Sequence, residues 1–223
     1  MKKYLLLLLS LIVILNSCTK LEGTVINGAN SGASATYQPL TAGSTWKYRT
    51  DYTASVGYTL LDTSVITMSA KTSTINSRLY TQAYETRSGF GIADTGYYYT
   101  SNHGYSIMQT IPAGTSSYTL ELLYLKDNVA VGTTWTSSLN YPSMGTVTLN
   151  GKITEKNISK TVLGKTYTKV IHSTLNLQMT IFGAPYPITY EIYVAQGIGI
   201  IHIDLIQPGT PPVQQDLVSY TIK

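Results

Sequence analysis

Residues 46–52 read Trp46-Lys47-Tyr48-Arg49-Thr50-Asp51-Tyr52. Aromatic and β-branched side chains take the even positions and charged ones the odd. Successive side chains of a strand point to opposite faces, so this stretch is a strand with one aromatic and one wet face. Working outward, 58–68, 79–85, 118–125, 147–158, 167–181, 188–195, 200–206 and 217–222 repeat the strand pattern. Turn residues punctuate them. Ser101-Asn102-His103-Gly104 parts Tyr97-Tyr98-Tyr99 from Tyr105–Met108, and Lys126-Asp127-Asn128, Leu163-Gly164 and Gln196-Gly197 close other runs. The expected fold is all-β: an antiparallel curved sheet forming a sandwich or partly open barrel, of roughly nine to eleven strands. Little helix is expected, with a short piece at Thr72–Ser77 or Leu120–Leu125 as the best candidate.

Composition agrees. The 223 residues include 19 Tyr but 2 Phe, and 12% are charged, about half the share usual in soluble domains. Disordered chains and coiled coils both need more charge. The formal net charge is +4. Without Lys2 and Lys3, which lie in a segment read below as removed, 13 cations face 11 acids. No run of Lys and Arg forms a stripe that tracks a phosphate backbone, so nucleic acid is not an expected partner.

The amino terminus reads as a targeting signal. Lys2 and Lys3 precede an apolar run from Leu5 to Leu15, broken by Ser10. That is short of the ~20 residues a spanning helix needs and suits a signal peptide. The run ends Leu15-Asn16-Ser17-Cys18, which resembles a bacterial lipobox. Cleavage before Cys18 would leave its thiol to carry a diacylglycerol. Cys18 is the only cysteine, so no intramolecular disulfide staples the fold. Residues 1–17 are thus expected as signal peptide, 18–36 as lipidated Cys and flexible tether, and 37–223 as a single β domain. Several acyl chains would hold the protein at a membrane, each buried CH₂ adding about 0.8 kcal/mol.

One motif occurs twice: Gly43-Ser44-Thr45-Trp46 and Gly132-Thr133-Thr134-Trp135. Each follows a polar stretch and opens an aromatic strand, as a duplicated half-barrel would. With these, Tyr37-Gln38-Pro39-Leu40, Gly164-Lys165-Thr166-Tyr167, Tyr193-Val194-Ala195-Gln196-Gly197-Ile198-Gly199 and Ser219-Tyr220 resemble a class of uncharacterised Bacteroidota lipoproteins. Those carry a Tyr-Tyr-Ala-Lys-Gly-Val-Gly-type segment near the end of one all-β domain. This chain departs from it at Val194 and Gln196. The resemblance implies the β fold, the anchor and a cell-envelope location at the outer membrane. It carries over no catalytic residue.

Candidates for chemistry are few. Ile92-Ala93-Asp94-Thr95-Gly96 has the form of an aspartic-protease motif, but that chemistry needs two carboxylates sharing a proton. A second copy is absent, and the bulky Tyr97 follows; Asp94 reads as a turn residue. Gly164-Lys165-Thr166 lacks the earlier glycine of a phosphate loop and reads as a hairpin turn. No Gly-x-Ser-x-Gly elbow occurs. His103 falls in a turn. His172, His202 and Asp204 fall on wet strand faces, where a His/His/Asp metal group would form only if their strands lay side by side. The reading is therefore non-catalytic, with no cofactor and no metal. Tyrosine joins an apolar ring to a polar tip and suits sugar or protein contacts. Trp46, Tyr97, Tyr99, Tyr105 and Trp135 are the candidate ligand-binding residues, for a glycan, lipid or protein. Function is thus expected to be lipid-anchored binding or structural support.

Overall fold

The computed structural model describes residues 36–89, 91–113, 116–141, 145–181 and 184–223. The signal peptide, Cys18 and most of the tether lie outside them. The strands are β1 (Thr45–Asp51), β2 (Leu61–Ile75), β3 (Arg78–Arg87), β4 (Ile92–Ser101), β5 (Gly104–Ala113), β6 (Ser116–Lys126), β7 (Thr134–Tyr141), β8 (Gly145–Val162), β9 (Lys165–Ile181), β10 (Ala184–Ala195), β11 (Gly199–Gln207) and β12 (Thr210–Thr221). They form one twelve-stranded antiparallel sheet in the order β6-β5-β4-β3-β2-β1-β12-β11-β10-β9-β8-β7. The sheet is open: the chain steps from β6 at one edge to β7 at the other. The count exceeds the expected nine to eleven because β7, with Thr136, Ser137 and Ser138 in succession, lacks clean alternation.

Two further expectations are corrected. Neither helix candidate is helical: Thr72–Ile75 ends β2 ahead of the Asn76-Ser77 turn, and Leu120–Leu125 lies within β6. Among the described residues the one helix is a single turn, α1 (Thr53–Val56), stopped by Gly57 at φ 78°. Asp94-Thr95-Gly96 is not a turn but the body of β4, with Asp94 opposite Glu85 of β3.

The aromatic parity of the opening stretch holds. Trp46, Tyr48, Thr50 and Tyr52 are all buried on the inner face. Beside them on the same face are Ile66 and Met68 of β2 and Leu217 of β12, and they share one core with the aliphatic rows of β8 to β11. Side chains reach across the curve. The Tyr48 hydroxyl donates to the Ile200 carbonyl of β11 at 2.9 Å, over the intervening β12. Bulges, as at Val218 of β12 opposite Lys47 and Tyr48 of β1, sharpen the twist and allow the roll. The rolled edges meet without a ladder. Ser173 of β9 donates to the Tyr124 carbonyl of β6 at 2.6 Å, and Trp135 Nε1 donates to the Leu123 carbonyl at 3.0 Å.

The twice-used motif opens two successive six-stranded meanders, β1–β6 and β7–β12. In the first, Gly43 (φ 82°) donates to the Met68 carbonyl, and Met68 returns a bond to Ser44. In the second, Gly132 (φ 86°) donates to the Ile153 carbonyl, and Ile153 returns one to Thr133. Both glycines adopt a left-handed conformation that a side chain would strain. The same turn therefore sets the same register twice.

Candidate functional site

The five aromatic candidates do not share a surface. Trp46, Tyr105 and Trp135 are buried in the core. Tyr105 packs between Tyr37 and Tyr124, and Trp46 Nε1 donates to the Ile198 carbonyl at 2.6 Å. Tyr97 and Tyr99 are half-buried on the sheet face opposite to Tyr98. Tyr99 lies 5.3 Å from the Tyr80 ring with the Arg78 guanidinium over it. Inside the roll, a cavity of about 10 Å³ is bounded by Gln38, Trp46, Tyr48, Ile66, Tyr98, Ile200 and Gln215. Room of that order suits a single water.

Two polar clusters are built from residues that strand pairing brings together. The first is inside the roll, at the end away from the chain entry. Arg87 of β3 and Asp62 of β2 are both almost fully buried and bonded at 2.7 Å. The guanidinium also donates to the Tyr52 hydroxyl, and the Gly89 amide donates to Asp62 at 2.8 Å. Burial outweighs the nearby Arg87 and pushes the Tyr52 hydroxyl up to about 12. Glu85, two residues before Arg87 on the same face, is buried and its Oε1 has no hydrogen-bond partner. Burial, opposed by Arg87 and reinforced by Asp94 and Asp62, pushes its pKa up to about 9. A neutral carboxyl is thus held next to a buried ion pair.

The second cluster runs across the outer face from β8 to β1. His172 of β9 bonds Glu155 of β8 at 2.9 Å and Glu191 of β10 at 2.7 Å. His202 of β11 bonds Asp216 of β12 at 2.8 Å and Asp204 at 3.1 Å. Asp216 continues to Arg49 of β1 at 3.2 Å. Tyr193 of β10 sits between the imidazoles, stacked on His172 at 4.1 Å and tilted against His202 at 5.5 Å, with Lys160 Nζ 3.8 Å from its centroid. Ionised carboxylates only accept hydrogen bonds, so a ring bonded to them through both nitrogens is an imidazolium.

The geometry revises the reading of these histidines. They are not solvated, each being over nine-tenths buried. Their strands are not neighbours; β10 lies between, and Tyr193 fills the space a shared metal would take. Among the described residues no group of three His, Cys, Asp or Glu is arranged to hold a metal ion. His103 is exposed and bonds Asp127 at 2.7 Å. The carboxylates flanking His172 and His202 were not picked out from the sequence, because cross-strand register decides who meets whom.

Charge shifts follow from these contacts. Burial lowers both histidine pKa values, but the carboxylate bonds outweigh it and raise them. Burial opposes ionisation of Glu191 and Asp216, yet the histidine bonds prevail and both are lowered. In Asp204 the His202 bond dominates and lowers it too. A raised histidine stabilises the fold below its unfolded value of about 6.5 and loses that as pH rises through the folded pKa. The lowered carboxylates stabilise above their unfolded values of about 4 and lose that as pH falls through the folded pKa. Glu85, raised, weakens the fold progressively between about 4.5 and 9. Urea midpoints are therefore expected to peak near pH 5 and to fall toward pH 9. Glu85→Gln should flatten the decline from its start, and a His172→Gln/His202→Gln variant only its part above about pH 6.5. A flat profile from pH 5 to 9 in the unmodified protein would contradict this account.

Similarity to known proteins enters through the fold. No protein-family model matches the chain, and no curated protein matches its sequence. Two solved structures do match. One, a protein described as exported and of YmcC-like fold from Bacteroides fragilis, is 9% identical; the match covers 84% of this chain and 99% of that one, with a TM-score of 0.53. The chain shares the fold of that protein. A protein described as a lipoprotein from Parabacteroides distasonis is 10% identical over the same shares, with a TM-score of 0.54. At such identities the YmcC-like sheet is what is shared.

Proposed function

We propose that the chain is an acylated protein of the bacterial cell envelope, anchored at the outer membrane through Cys18, whose rolled sheet serves as a non-catalytic binding or structural module. The observation that carries this reading is Lys2-Lys3, the apolar Leu5–Leu15 run and its Leu15-Asn16-Ser17-Cys18 ending, with no cysteine elsewhere. The descriptions of the two solved neighbours as exported protein and lipoprotein support it. The pairing of the titratable groups supports a structural role for them. His172 and His202 bond carboxylates through both ring nitrogens and keep no free lone pair for a general base. With the interior filled, a glycan, lipid or protein ligand would meet this module at its surface.

Cells grown with an alkyne analogue of palmitate are expected to label the protein. Cys18→Ala should lose the label and retain the signal segment, seen as a slower-migrating band. A mutant that keeps the label would refute the anchor.

A further inference from the structure

We infer that the end of the roll where the chain enters the domain is a docking surface for an anionic lipid bilayer. In a meander, alternate turns fall at one end of the sheet. The β2–β3, β4–β5, β6–β7, β8–β9 and β10–β11 connections therefore share an end with the start of β1. The chain enters here too: the Thr36 carbonyl accepts from Gly197 of the β10–β11 turn at 2.8 Å. This end is basic. Lys71 near the β2–β3 turn, Lys126 at the end of β6, and Lys160, Lys165 and Lys169 about the β8–β9 turn gather here. Of the acids nearby, Asp127 is held by His103 and Tyr105, Glu121 by Arg78, Glu155 and Glu191 by His172 and Asp204 by His202. At the opposite end lie Asp51 and Asp94, while Asp62 there is buried against Arg87.

The tip of the β8–β9 hairpin adds an independent sign. Three two-residue turns at this end hold their first residue at nearly the same positive φ: Asn76 at 49°, Asn102 at 47° and Leu163 at 48°. Asparagine tolerates that conformation, and leucine adopts it at a steric cost. Leu163 is 45% exposed, so core packing does not compensate. An apolar side chain at a strained, exposed tip between Lys160 and Lys165 matches a bilayer interface, where the leucine enters the acyl boundary and the lysines meet anionic headgroups.

This inference rests on the proposed anchor for its biological setting, but its test does not. Among the described residues every strand of the sheet lies within residues 45–221, so residues 19–223, lacking Cys18, keep the whole of that sheet. Sedimentation with phosphatidylglycerol/phosphatidylcholine vesicles is expected to pull this protein down at 50 mM salt, and much less at 500 mM. Lys160→Gln/Lys165→Gln/Lys169→Gln should weaken partitioning about five-fold per lysine, roughly a hundred-fold in all. Leu163→Asn should raise the urea midpoint yet lower vesicle binding, which separates the membrane role from folding. Failure to sediment with anionic vesicles, equal binding to neutral ones, or unchanged binding by either variant would overturn the inference. None of these results depends on whether Cys18 is acylated, which the palmitate label reports separately.

Discussion

Arg87→Met is expected to cost about 3–5 kcal/mol of stability, a large part of the ~5–15 kcal/mol a domain has. The guanidinium is the main counter-charge to Asp62, and both side chains are 1% exposed. Without it, the carboxylate stays in the interior with the Gly89 amide and the neighbouring Glu85 carboxyl, and water cannot reach it. Deleting one member of a buried pair costs more than the pair contributes, because the remaining charge has been desolvated for nothing. With a urea slope of about 2 kcal/mol/M, the midpoint should fall by roughly 2 M. Asp62→Leu/Arg87→Met should recover most of the loss, since well-packed apolar residues replace a buried ion pair at little cost. Should the single variant shift the midpoint by less than 0.5 M or so, the pair is hydrated and this account of the inner cluster is wrong.

The contrast between the two clusters and the core explains how far the sequence could be read. Period-two alternation is local, so Trp46 to Tyr52 announced both strand and buried face. Asn102-His103 and Leu163-Gly164 likewise announced their hairpins. Asp62 and Arg87 were invisible as a pair because 25 residues separate them, and only the β2–β3 register brings them together. The outer row draws one or two residues from each of six strands. His172 and Tyr193 face each other directly, as do Tyr193 and His202. A shift of one residue in either pairing would turn a ring to the opposite face. Sequence parity placed His202 and Asp204 together on a wet face, which was right for the face and wrong for its solvation. Asp94 misled for a related reason: Asp-Thr-Gly has turn chemistry, yet β3 on one side supplies a ladder that overrides it.

Gly151→Ala tests the seam where the sheet edges meet, and its effect should change sign with the partner residue. Gly151 of β8 pairs with Trp135 of β7, and the indole lies flat over it. A Cβ there would stand 2.0 Å from Trp135 Cε2 and 2.4 Å from Nε1, far inside contact distance. The ring cannot swing away cheaply. It is 93% buried, and its Nε1–H is bonded to the Leu123 carbonyl of β6, one of the contacts joining the two edges. Overpacking costs about 1–3 kcal/mol and a lost buried hydrogen bond about 1–3 more, so Gly151→Ala should cost about 2–6 kcal/mol. Trp135→Ala should cost about 3–5 kcal/mol by emptying the same space. Once the indole is gone the methyl group has room, and alanine in a strand interior is about 0.5–1 kcal/mol better than glycine. In the Trp135→Ala background, Gly151→Ala should therefore raise the urea midpoint instead of lowering it. Additive losses in the double variant would mean that the glycine serves the backbone and not the indole, and the seam would have to be held by other contacts.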